Sequence, residues 1–264
     1  MGAALAYIAI AVAAAPSTPA QSPTDDPGWE KRSDQWFEKI EPGGEVRVVN
    51  PYGNIYARFG GYEPRVEILA TTQIIDRSAP ALFVRREPVE GDLDVHVIME
   101  GFSPADTPPR GDRKDRVDLV VFVPKGSTAR LRTAEGSIQA KGLKSDVDAS
   151  TSSGDIQFRE TQGHAGARSV HGAISAMLLT GATDRRQWFR TQTGDIEVFL
   201  WEDAAAEVRL ATSGLISTDF SLAIEHRPLE EPDKLARASI GSNGPEITLE
   251  SKRGGLRLLR LPTE

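Results

Sequence analysis

The chain contains no cysteine in its 264 residues. That excludes disulfides, thiolate metal centres, cysteine nucleophiles and a lipidated N-terminal cysteine. Stability must then come from an apolar core and backbone hydrogen bonds. Aromatic residues are few, at 6%. Positive charge is in deficit, with 31 Lys and Arg against 38 Asp and Glu, giving a formal net charge of −7. An acidic chain repels phosphate backbones, and no basic stripe interleaves with aromatics, so nucleic acid is not an expected partner. Helical periodicity is also missing. No window holds an i, i+3, i+4, i+7 pattern over three turns, and the best candidate, Glu230 to Arg237, is short and contains Pro232.

Glycine and proline, by contrast, are plentiful, at 24 and 17 residues. Together with the scarcity of aromatics they favour many short strands and turns. The 39% hydrophobic and 26% charged content is that of an ordinary soluble globular chain. Ala3 to Ala15 is an apolar run followed by small residues up to Ala20. Residues 1–20 therefore read as a signal peptide cut after Ala20. A retained membrane anchor is the alternative, although about 13 apolar residues fall short of the roughly 20 that span a bilayer. Either reading places the remainder outside the cytoplasm: periplasmic, cell-surface or extracellular. Residues 21–43 read as a polar linker, most Pro-rich over 21–35, with Trp36-Phe37 capping the first strand of a folded part spanning 44–262.

Alignment on glycine exposes an internal repeat. Apolar or small residues stand seven and five places before the glycine, a Thr, Ser or Asn three before, and apolar residues two and often four after. The frame recurs at Gly53, Gly136, Gly154, Gly172, Gly194 and Gly254, and at Gly214 in a form one residue shorter. From Gly136 to Gly214 the glycines are 18, 18, 22 and 20 residues apart. Near-constant spacing predicts an all-β, parallel β-solenoid of β-helix type, in which each strand–Gly–strand unit buries its apolar face against its neighbours. The isoleucine two after the glycine (Ile55, Ile138, Ile156, Ile174, Ile196, Ile216) is expected to form a buried ladder. The hydroxyl and amide column is expected to face inward. Residues 61–124 interrupt the repeat as an inserted, strand-rich segment near the N-terminal end, expected as a hairpin-like sheet with a loop at 101–116.

The frame V-x-A-x-T-x-S-G-D-I-x-F at Val147–Phe158 and F-x-T-x-T-G-D-I-x-V at Phe189–Val198 resembles the repeat of a bacterial family of putative adhesins. The approach Val117 to Pro124 is similar to that family as well. The resemblance covers about residues 45 to 260 and implies an exported β-helical domain with an adhesin role. It brings no catalytic residues with it.

Candidate chemistry is thin. His96, His164, His171 and His226 lack metal-ligand spacing, so no metal or other cofactor is expected. G-x-S-x-G and phosphate-binding glycine motifs are absent, and Gly241 to Gly244 reads as a turn. Asp146, Asp148 and Asp155 share one unit, and Asp195 matches Asp155 two units on. Turn chemistry explains Asp155 and Asp195, while a polysaccharide-cleaving or cation site is the rival. Arg110-Gly111-Asp112 is an attachment tripeptide by composition and an ordinary loop by context. Trp188 and Trp201 offer stacking faces for sugars or covers for a corner. The expectation is a non-enzymatic exported surface or periplasmic domain, with adhesin-like binding of an envelope macromolecule, polysaccharide or protein, or a structural envelope role. Contact with a membrane is expected only through a retained N-terminal segment. A carbohydrate-active enzyme and a self-assembling scaffold are the alternatives, the latter because the last copy, Ile247 to Leu259, leaves an edge uncapped.

Overall fold

A computed structural model describes residues 29–103, 114–178, 185–201, 204–242 and 244–261. The Arg110-Gly111-Asp112 tripeptide and the 1–20 segment lie outside these residues. Every regular element among the described residues is a strand. In chain order they begin with β1 (Glu30–Lys39), then β2 (Glu45–Tyr52) and β3 (Ile55–Phe59) either side of Gly53. β4 (Arg65–Ile74), β5 (Leu82–Val89), β6 (Asp92–Met99) and β7 (Arg116–Val123) follow. Four strand–Gly–strand units come next: β8 (Thr128–Glu135) with β9 (Ile138–Lys141), β10 (Asp146–Ser153) with β11 (Ile156–Thr161), β12 (Ala165–His171) with β13 (Ile174–Leu178), and β14 (Gln187–Thr193) with β15 (Ile196–Leu200). The chain closes with β16 (Ala206–Thr212) and β17 (Ile216–Thr218), the hairpin β18 (Ala223–His226) and β19 (Lys234–Ile240), and the unit β20 (Glu246–Ser251) with β21 (Leu256–Arg260).

These strands make two large mixed sheets, both open at their ends. Sheet A runs β1-β4-β7-β3-β9-β11-β13-β15-β21-β17, and sheet B runs β18-β19-β16-β20-β14-β12-β10-β8-β2-β6-β5. Each unit sends its first strand to sheet B and its second to sheet A, turning at the glycine. Units stack in parallel and in register, so that Ala149 lies beside Leu131 and Ala167, and Ile156 beside Ile138 and Ile174. The inward faces of both sheets form one continuous apolar core. Ile55, Ile138, Ile156, Ile174 and Ile196 are all at most 1% exposed, and Leu256 continues their column. Each such side chain stabilises the fold by roughly 1.5–3 kcal/mol.

The polar column inside the core has a definite task. Thr133, Thr151, Ser169, Thr191, Ser251 and Thr212 are all buried. Each donates its hydroxyl hydrogen to the carbonyl of the corner glycine in the adjacent unit, at 2.5–3.1 Å. At the N-terminal end Asn50 Nδ2 donates instead to the carbonyl of Val117, at 2.7 Å. Turning the chain at a glycine leaves that carbonyl outside the strand ladder, and the hydroxyl satisfies it without water. The corner itself needs glycine at Gly154, where φ is +143°. A Cβ there would lie under 3.0 Å from the backbone of Gly136, so successive corners stack backbone on backbone.

Three expectations are corrected. Residues 30–39, assigned by composition to the 21–43 linker, form β1, paired antiparallel with β4 at the edge of sheet A. Its core-side positions include Arg32, Asp34 and Glu38, opposite buried Thr72, Ala70 and Val66, as an edge strand permits, and these charges hid its alternation. The insertion 61–124 does not make a separate sheet. β4 and β7 extend sheet A, while the β5–β6 hairpin extends sheet B. Glu230 to Arg237, where the sequence lacked a sustained helical period, is a turn with a cis Glu231–Pro232 bond leading into β19. Finally, the last copy is not terminal in space. β20 lies between β14 and β16, and β21 between β15 and β17, so the uncapped edge invoked for self-assembly is interior.

Candidate recognition face

Alternation along the sheet B strands puts every second side chain on the outer face, where stacking aligns them in rows. One row reads Asp94, Arg47, Arg130, Asp148, Gly166, Trp188 and Thr248 from strand to strand. The next reads His96, Val49, Arg132, Ser150, Arg168, Arg190 and Glu250. Small Ser150 between two long arginines makes a depression. Two hollows of about 410 and 590 Å³ meet there, with Val49, Arg132, Ser150 and Arg168 lining both. The first extends over Ala134, Ser152 and Val170, and the second over Asp148, His164 and Trp188. They form one shallow groove across β2, β8, β10, β12 and β14.

Charge in this groove is unevenly matched. Arg47 pairs with Asp92 and Asp94 at 2.7 and 2.8 Å, Arg130 with Glu45 at 2.7 Å, and Arg190 with Glu250 at 3.4 Å. Arg132 and Arg168 are exposed and make no side-chain hydrogen bond or ion pair among the described residues. Two permanent cations thus face solvent on a chain whose net charge is negative. At the other end of the groove the six-membered ring of Trp188 lies against Gly166, in the space a Cβ would fill, with Asp148 Oδ1 beside it. Asp148 also meets His164 Nε2 at 3.2 Å. That hydrogen bond raises the imidazole above its ordinary range, against the opposing effect of burial and with help from the Asp148 charge, the Arg186 backbone and Asp146.

The acidic residues singled out from the sequence are placed apart. Asp146 accepts the backbone N–H of His164 at 2.9 Å and pairs with Arg185. Asp148 faces the groove. Asp155 lies beyond the glycine corner and outside the groove. There it accepts the N–H of Ala173 at 2.8 Å, and Asp195 accepts that of Gly255 at 2.7 Å. Both are corner residues, so Asp146, Asp148 and Asp155 do not converge. Among the described residues no group of three or more His, Cys, Asp or Glu could hold a metal ion. His96 lies on β6 with its Nδ1 buried and unpartnered, His171 meets Thr193 Oγ1 at 2.8 Å, and His226 is exposed on β18. Trp201 is exposed just beyond β15, a strand of the other sheet, and does not line the groove.

Trp188 was legible as a stacking candidate, whereas Arg132 and Arg168 were missed. The signal was present in the repeat: both stand four residues before a corner glycine, an outward column that holds Val49, Arg132, Ser150, Arg168, Arg190 and Glu250.

No family model matches the chain, and no curated protein matches it in sequence. Among solved structures it is similar to a putative cell adhesion protein from Clostridium sporogenes, at 9% identity with a TM-score of 0.54, over 88% of this chain and all of that one. A putative adhesin from Bacteroides fragilis aligns over 88% of this chain and 98% of its own, at 13% identity with a TM-score of 0.34. At such identities the first likeness establishes a shared fold.

Proposed function

We propose that the chain is an exported, non-enzymatic, adhesin-like domain whose stacked units constitute a two-sheet parallel solenoid, and that it binds an envelope macromolecule through the outer face of sheet B. The observation that carries this reading is the groove across five strands, with two unpaired arginines where its two hollows meet and a half-buried tryptophan ring beyond them. A solenoid offers such a face as a rigid, extended platform, and its recognition groups are fixed by the ladder beneath them. The fold shared with a solved structure described as a putative cell adhesion protein supports the same reading.

The test is retention of the full chain, coupled to beads, on isolated bacterial envelope polysaccharide and protein fractions. Retention is expected, and Ser150→Trp, which fills the hollow between Arg132 and Arg168 without entering the core, is expected to abolish it. Retention unchanged by that substitution would remove the face from the proposal. Absence of retention on every fraction would overturn adhesion itself. The non-enzymatic part is checked by reducing-sugar release from a polysaccharide panel. Release that disappears in Asp148→Asn would sink it.

A further inference from the structure

The groove's chemistry constrains what fits it. Arg132 and Arg168 stand two strands apart in one row, so their backbones are separated by about 9.5 Å at the usual strand spacing. That is close to the advance of two pyranose units in an extended glycan, which puts both guanidinium groups within reach of carboxylates on the same chain. Guanidinium presents a planar fork that pairs a carboxylate through two hydrogen bonds. Between and beside the arginines lie Ser150 and Ser152, whose hydroxyls suit sugar hydroxyls. Trp188 supplies a flat apolar ring against which the C–H face of a sugar can rest.

Asp148 narrows the choice further. Its carboxylate lies in the same groove, hydrogen-bonded on one oxygen to His164. An anion among the lining groups accepts hydroxyl hydrogens and repels a closely spaced polyphosphate. A ligand must therefore offer hydroxyl donors as well as intermittent negative charge. A flat apolar peptide would leave both arginines unpaired, a cost that an acidic glycan avoids.

We propose, building on the reading of this face as the recognition surface, that the groove takes an acidic polysaccharide, with Arg132 and Arg168 pairing carboxylates two sugar units apart and Trp188 stacking on a sugar ring. The experiment is titration calorimetry of the full chain with oligogalacturonate, alginate oligomers and hyaluronan oligomers. Methyl-esterified oligogalacturonate and a single-stranded oligonucleotide are run in parallel. Binding to at least one acidic oligomer is expected. Esterification, or the double change R132Q with R168Q, should weaken it by about tenfold or more and flatten its salt dependence. Trp188→Ala should weaken acid and ester forms alike. Circular dichroism and thermal melting establish that each variant is folded.

Equal affinity for acid and ester, preference for the oligonucleotide, or no binding to any acidic oligomer would overturn the proposal. Acid binding indifferent to the double arginine change would do the same. If a neutral glycan binds and Trp188→Ala abolishes it, the ligand class falls and the recognition face stands. If no face variant changes any binding, both fall.

Discussion

At the scale of single residues, the buried hydroxyl column is the most economical feature of the chain. Thr151 Oγ1 donates to the Gly136 carbonyl at 3.1 Å, from a buried side chain to a part-buried corner. Thr151→Val keeps shape and removes the donor. It is expected to destabilise by about 1–3 kcal/mol, whereas Thr151→Ser retains the bond and costs less. Urea unfolding of the two variants separates the hydrogen bond from methyl packing. Gly154→Val should be more severe, above about 2 kcal/mol, because it combines a positive φ with overlap on the Gly136 backbone. A melt at the wild-type temperature would refute the corner assignment.

His164 adds a pH dependence at the same scale. Its hydrogen bond to Asp148 raises its pKa in the fold above the ordinary value of 6.5. A raised folded pKa contributes stability that is fully present below the unfolded value. It is lost as pH rises through the folded value. Stability should therefore decline as pH rises from the ordinary imidazole value through the raised folded one, and Asp148→Asn should flatten that slope, as read by thermal melting at a series of pH values. A slope unchanged in the variant would show that other groups produce it.

At the scale of elements, a unit was legible because its information is local. Alternation, the glycine, the hydroxyl and the isoleucine all lie within about a dozen residues, so the frame predicts the strand, the corner and the inward column together. Order between units is not local. The β20–β21 unit is last in sequence yet enters between units that precede it, because in-register pairing with β14 and β16 does not depend on chain order. Nothing in its own residues declares that position. β1 escaped for another reason: Glu30, Arg32 and Asp34 on an edge strand read as linker. The groove was half visible, since an aromatic attracts notice by itself, while Arg132 and Arg168 acquire meaning only once stacking sets them in one row with Ser150 between. The insertion of β20–β21 has a consequence. A chain ending at Pro245 loses the strands that join β16 and β17 to the rest of both sheets. Hydrogen exchange is expected to show residues 206–240 unprotected and residues 45–178 still protected, since stacked units are stabilised by nearest neighbours. Protection retained over 206–240 would mean that those strands hold to the core by other contacts.

At the scale of the whole molecule, two open sheets raise the question of what stops strand addition at their ends. One end exposes β1 in sheet A and β5 in sheet B. β1 is ten residues long, and its sequence, EKRSDQWFEK, carries charges of both signs along the edge. Arg86 on β5 turns back towards it, over the Trp36 ring at 4.5 Å and beside Glu38 at 3.3 Å, so an inward-pointing cation closes the gap between the sheets. At the far end the edges are β17, with three residues, and β18, with four. Short edges, edge charges and an inward-pointing charge are the devices that discourage pairing between molecules. These ends are expected to keep the chain monomeric despite its sheets of ten and eleven strands. Sedimentation velocity over a wide concentration range checks this. A single monomeric species is the expected result, and concentration-dependent growth into longer species would restore the self-assembling scaffold. In that event Arg86→Leu should strengthen association through the β1–β5 end and leave it unchanged through the β17–β18 end, which locates the contact.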